Sequence, residues 1–212
     1  LILLLPNPIF QCPKFLGIKK ISFLQQMDLS QEVLQPAFNL DRYLGTWYEI
    51  AKTPNFFEIG CASAKAKYEK LSKTTISVVN TCLGEDGSKK RRNCEEAGGF
   101  GCRGVDDTVP PVIRGKATVV NEDFPAAIRV SFPTEPDVLP PGIPNYLVHT
   151  TDYCSYAVVG DPQRQFLFIL SRSPTMNIRL FNELVRFSAK LGYNTDQIVI
   201  NTRHYKPVVR KK

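Results

Sequence analysis

Six cysteines and two histidines are the residues best able to do covalent or metal chemistry: Cys12, Cys61, Cys82, Cys94, Cys102, Cys154, His149 and His204. A zinc site of the usual kind needs closely spaced ligand pairs such as C-x-x-C. No two cysteines here have that spacing, so no metal and no cofactor is expected. A catalytic Cys–His pair needs a thiolate activated by its surroundings, and no flanking residues favour one. An even cysteine count points instead to disulfides and an oxidising compartment. The expected location is secreted or extracellular, with a plastid lumen or a periplasm-type compartment as the alternative.

Three other groupings invite a chemical reading. Gly98, Gly99 and Gly101 resemble a phosphate cradle, but neither a P-loop lysine nor a helical pattern follows, so they are read as loop. Asp152 beside Tyr153 suggests acid–base work, yet nothing supplies a partner or a shifted pKa. The net charge of +7 attracts nucleic acid, anionic lipid or acidic partners. Its carriers are scattered, apart from Lys89-Lys90-Arg91-Arg92 and the tail Arg210-Lys211-Lys212. No nucleic-acid partner is expected; peripheral contact with an anionic membrane is.

The elements that position these residues are mostly strands. Residues 1–36 have no clear period and read as an N-terminal leader. The apolar run Leu1–Leu5 suits the end of a signal or transit segment and is far too short to span a bilayer. A single domain is expected over 37–206, with a basic tail at 207–212. Within it, period-two patterns mark strands at Thr46–Lys52, Ala62–Glu69, Thr75–Thr81, Ile113–Val120, Ala127–Phe132, Tyr146–Thr151, Tyr156–Val159 and Gln165–Ser171, with a short last one at Ile198–Asn201. Residues 83–111 form a glycine-rich insertion, and the prolines between Pro133 and Pro144 mark a second long loop. From Asn177 to Leu191 the period becomes helical, with Gly192 as its stop. Strands at short spacing argue for a sandwich or barrel, and one helix with a single apolar side must lie against its outside.

On the first strand, parity puts Trp47, Glu49 and Ala51 on one face. On the second, Ala62, Ala64, Ala66 and Tyr68 alternate with polar residues. Alanines on a buried face leave room for a guest inside a barrel, or else are filled by large residues opposite. If Tyr68 stands opposite Ile76 across the hairpin, then Ile76, Val78 and Asn80 point inward.

Three segments match one family. Asn39-Leu40-Asp41-Arg42-Tyr43-Leu44-Gly45-Thr46-Trp47-Tyr48-Glu49-Ile50-Ala51 resembles the opening signature of lipocalins. Thr151-Asp152-Tyr153 resembles the second signature and Leu170-Ser171-Arg172 the third, in the family's order. The resemblance covers Phe38 to Asn201 and is closest to the branch of bacterial lipocalin, apolipoprotein D and plant temperature-induced lipocalin. Phe132-Pro133-Thr134-x-Pro136 and the positions of Cys61 and Cys82 resemble plastid lipocalins.

The resemblance implies an all-β fold: an eight-stranded antiparallel up-and-down β-barrel with one C-terminal α-helix packed outside. It implies that Trp47 plugs the closed end with Arg172 across its ring, so that Gly45, Trp47, Thr151, Asp152, Tyr153 and Arg172 are structural and not catalytic. The expected function is a carrier of a small hydrophobic ligand such as a fatty acid, lysophospholipid or sterol, acting as monomer or weak dimer and not as an enzyme. Expected lining residues are Glu49, Ala51, Ala64, Ala66, Tyr68, Val78 and Asn80. Two alternatives stand beside it: a lipocalin-fold enzyme acting on a lipid or carotenoid through a cysteine nucleophile, and a peripheral, membrane-protective stress lipocalin.

Three disulfides are expected from the positions of the cysteines along the chain, since the tail carries no cysteine to repeat the pairing of apolipoprotein D. Cys94 with Cys102 is the most local bridge. Cys61 and Cys82 fall at the open ends of one hairpin, but with Tyr68 opposite Ile76 the position across from Cys61 is Leu83. Parity then sets the two cysteines on opposite faces, and a bridge needs a bulge or a frayed end. Cys12 with Cys154 remains by elimination.

Overall fold

Strands that alternate between a dry and a wet face can bury the dry side by curling until first and last meet. The structure is a computed structural model that describes residues 34–55, 58, 61–83, 112–133 and 142–201. A short helix α1 (Leu40–Tyr43) precedes β1 (Gly45–Lys52), β2 (Ser63–Lys70), β3 (Thr75–Leu83), β4 (Val112–Val119), β5 (Ala127–Ser131), β6 (Tyr146–Thr151), β7 (Tyr156–Gly160) and β8 (Leu167–Ser171). Then come helix α2 (Ile178–Lys190), a 3-10 turn (Thr195–Gln197) and β9 (Val199–Ile200). Consecutive strands pair antiparallel from β2 to β8, and β1 pairs with both β2 and β8, so the sheet closes on itself. The result is an eight-stranded up-and-down barrel, with β9 as an extra strand along the end of β1. The expected fold class is the one observed.

Two apolar cores follow from the alternation. On β7, Ala157 and Val159 join the barrel interior with Trp47, Tyr68, Val78, Val148 and Leu170. Val158 between them faces outward, into a second cluster with Ile169, Phe181, Leu184 and Phe187. That second cluster is the seat of α2. Asn177 caps the helix by accepting from the Arg179 amide, and Gly192 ends it at φ +90°. Tyr193 then turns back to the barrel wall, where its hydroxyl donates to the Asp161 carbonyl and meets His149 Nε2 at 2.8 Å. A Cβ on Gly160 would collide with that hydroxyl, so glycine is needed there.

Two sequence expectations change. Ser72 Oγ accepts from the amides of Thr74 and Thr75, and the Leu71 amide bonds the Thr75 carbonyl. The turn is thereby centred on Lys73, so Tyr68 stands opposite Val78 and Ile76 opposite Lys70. A two-residue slip leaves the faces unchanged, because the side-chain period is two. In β1 the correction is larger. A β-bulge interrupts the pairing between Glu49 and Ala51. Before it, Glu49 stands opposite Leu170 of the interior; after it, Ala51 stands opposite Ile169 of the outer core. Ala51 therefore packs beneath α2 and does not line the barrel, and Lys52, opposite Phe168, takes the inward place. An extra residue inverts the parity of everything after it.

Candidate ligand-binding site

The floor of the barrel is built by chain segments far apart in sequence. Trp47 is wholly buried, and its indole Nε1 donates to the Tyr43 carbonyl at 2.9 Å. The Arg172 guanidinium lies 3.7 Å from the Trp47 ring centroid and donates to the carbonyls of Arg42, Thr46 and Tyr153, each at 3.0 Å. Such a cation–π pair contributes about 0.5–2 kcal/mol. Gly45 has φ +94°, and a Cβ there would sit 3.3 Å from Arg172. Asp152 accepts from the amides of Cys154, Ser155 and Tyr156, and Thr151 Oγ1 accepts from the Tyr153 amide. These bonds hold a tight β6–β7 turn in which Tyr153 sits at φ +65°. All six signature residues thus gather at one end, in structural roles.

A strap crosses the same end. The Gln35 amide bonds the Val148 carbonyl, the Thr151 amide bonds the Gln35 side chain, and the Asn39 amide bonds the Tyr153 hydroxyl. Phe38 packs edge-on to Tyr43, and Tyr43 stacks on Tyr68.

Above the floor, register assigns the inner wall row by row. Ala66 faces inward opposite Trp47, and Tyr68 opposite Val78. Asn80 lies opposite Ala66 and Ile113; Ala64 lies opposite Cys82. Ala117 and Ala157 join the same interior. Of the lining residues expected from sequence, Glu49, Ala64, Ala66, Tyr68, Val78 and Asn80 share this face, and Ala51 does not.

Two polar stations interrupt the apolar wall. The deeper one is a trio of phenols: the Tyr146 hydroxyl lies 2.8 Å from that of Tyr43 and 3.4 Å from that of Tyr68. Burial raises the pKa of all three, which keeps them neutral donors. Three hydroxyls carry three hydrogens, and their two mutual contacts use two of them. Tyr43 and Tyr146 were not among the residues expected from sequence, since an isolated tyrosine before a strand or at its first position carries no period.

The second station stands at the far end of β1. Lys52 Nζ lies 2.6 Å from Glu58 Oε2 and 3.2 Å from Glu49 Oε1, with all three side chains largely buried. Burial, and then the neighbouring Glu58 charge, pushes Glu49 up to about 8; Lys52 opposes that push. Lys52 is itself raised, because its two carboxylates outweigh the cost of its burial. Sequence parity placed Glu49 inside but missed Lys52 and Glu58, one hidden by the bulge and the other by its loop.

Cys61 and Cys82 are bridged at this same rim, with their Cα atoms 5.3 Å apart. Cys82 is still within β3, but β2 begins only at Ser63, so Cys61 lies beyond the strand and escapes its parity. Cys154 is also disulfide-bonded; Cys12, Cys94 and Cys102 lie outside the described residues, as do His204 and residues 84–111 of the insertion. None of the described cysteines is a free thiol, which removes them as nucleophiles. His149 is buried on the outer face against Tyr193, away from the interior.

Comparison with known proteins decides the family. The lipocalin-like domain matches residues 38–101 and 97–203, together most of the chain. The chain is a lipocalin. It is 29% identical over 164 residues to the outer membrane lipoprotein Blc of Vibrio cholerae, covering 76% of this chain and 81% of that one. Over 148 residues it is 30% identical to apolipoprotein D of Rattus norvegicus, covering 66% of this chain and 64% of the other. Both belong to the branch that the three signatures resemble. In fold, this lipocalin is similar to insecticyanin from the tobacco hornworm Manduca sexta, with a TM-score of 0.51 at 17% identity over 83% of this chain and 89% of the other. Lipocalins bind small hydrophobic ligands and are in general carriers, not enzymes.

Proposed function

We propose that this lipocalin binds one small hydrophobic molecule inside its barrel and carries it. The range of ligands is fatty acids, lysophospholipids, sterols and similar molecules. The observation that carries the reading is the inner wall. It keeps small side chains at Ala64, Ala66, Ala117 and Ala157 above a sealed Trp47–Arg172 floor, with a few polar groups set into an apolar surface. Binding sites of this sort draw affinity from apolar burial and orientation from sparse polar contacts. Glu49, Ala64, Ala66, Tyr68, Val78 and Asn80 are the proposed lining, joined by Tyr43, Tyr146 and Lys52. The disulfides favour an oxidising, secreted or extracellular setting.

The test is titration with an uncharged solvatochromic alkyl probe, followed by competition with unlabelled lipids of each type. A saturable signal at one probe per chain, displaced by at least one lipid, is the expected result. Absence of any competable signal from folded protein would remove the carrier reading.

A further inference from the structure

The rim station has an imbalance that the apolar wall does not explain. Two carboxyl groups, Glu49 and Glu58, share one ammonium, that of Lys52. Among the described residues Lys52 is the one cation paired with either of them. The hydrogen-bond count leans the same way. Lys52 has three N–H donors and directs two of them at Glu58 and Glu49. Asn55 donates its amide to Glu58 Oε2 at 2.9 Å, while its own Oδ1 is buried without a partner. With Glu49 protonated the cluster carries one negative and one positive charge, and its unmet group is an acceptor, Asn55 Oδ1.

Its place in the barrel matters as much as its composition. Glu49 and Lys52 stand opposite Leu170 and Phe168, on the inner row of β8. They occupy the end of β1 away from Trp47, where a ligand with its tail on the floor presents its head. Resting on the carrier reading above, we propose that Glu49, Lys52, Asn55 and Glu58 form the head-group subsite, and that it selects a donor head over a carboxylate. Its preferred ligand is a long-chain amine, then a long-chain alcohol, and last a free fatty acid.

The physics of each case differs. An ammonium brings the positive charge that lets Glu49 ionise, and N–H donors for Asn55 Oδ1 and the carboxylates. Glu49, which burial and Glu58 keep protonated at neutral pH, then releases its proton to water as the cation arrives. A hydroxyl supplies a donor without charge. A carboxylate supplies neither; it must compete with Glu58 for Lys52 and brings a second negative charge into a buried site where Glu49 is already held protonated.

The experiment displaces the uncharged alkyl probe from the full chain at neutral pH with decylammonium, decanol and decanoate, three ligands of equal tail. Decylammonium is expected to displace it at a concentration roughly tenfold or more below that of decanoate, with decanol between. In Glu58→Gln, and independently in Glu49→Gln, that gap should shrink to about threefold or less. If decanoate competes as well as decylammonium, the head-group selection is wrong, although competition itself leaves the carrier reading standing. Should the gap persist in both variants, the subsite is not this cluster. If none of the three competes while another lipid still displaces the probe, the head-group selection is wrong and the carrier reading stands; if no lipid displaces it, both fall.

Discussion

At the scale of single residues, the floor concentrates its stability in few side chains. Trp47 is fully buried, hydrogen-bonded and capped by Arg172. Trp47→Ala should therefore cost about 3–5 kcal/mol, the range for large aromatic truncations in cores. Urea unfolding checks it, and a midpoint equal to that of the parent would show that the floor does not depend on the indole. Glu49 makes a prediction of a different kind. Its folded pKa, about 8, lies above its ordinary 4.5, so the folded chain keeps a proton that the unfolded chain has released in that window. The stability this group contributes is full below the lower value and is lost as pH rises through the upper one. Melting temperatures of the parent and Glu49→Gln, compared from about pH 5 to about pH 9, should shift in favour of the variant as pH rises. A difference independent of pH would place Glu49 in a solvated setting.

At the scale of elements, the Cys61–Cys82 bridge closes a segment with a sequence separation of 21. Chain-entropy reasoning gives such a loop roughly 3 kcal/mol of stabilisation. The Cys61→Ser/Cys82→Ser pair should lose an amount of that order in equilibrium unfolding, with retention of full stability as the contrary result. Elements also show what could and could not be read in advance. Strand order, the outer helix and the closed end were legible, because periodicity is long and the three signatures are rich in special residues such as Gly45, Trp47 and Arg172. The fate of Ala51 and Lys52 was not. The bulge after Glu49 leaves no mark in a run as regular as Glu49-Ile50-Ala51-Lys52, since no glycine or proline announces it. The β2–β3 register erred by two for a related reason: Ser72, Lys73 and Thr74 all tolerate a turn, and only the Ser72 hydroxyl decides its centre. Helix α1 has four residues, too few for a period to appear. The phenol trio draws on α1, β2 and β6, and no linear pattern foretells a meeting of three distant side chains.

At the scale of the whole molecule, a carrier is stabilised by its cargo. A ligand that binds only the folded barrel, present at 100 times its Kd, adds about 2.7 kcal/mol. Thermal unfolding of the full chain with and without a saturating displaceable lipid should show the rise, and Trp47→Ala should keep a rise of similar size because the floor seals the barrel without choosing its guest. A rise confined to the parent chain would mean that Trp47 itself selects the ligand.

The Arg172 clamp also sets a clock. Its guanidinium reaches the Arg42 carbonyl across 130 residues of chain, and β1 cannot meet β8 before both have left the ribosome. At common rates of translation that interval is roughly 6–26 s. Throughout it the edge of β1 that β8 will cover has no partner strand to pair with. Until β8 is made no closed cup can form, and β8, not the short β9, turns the sheet into a vessel.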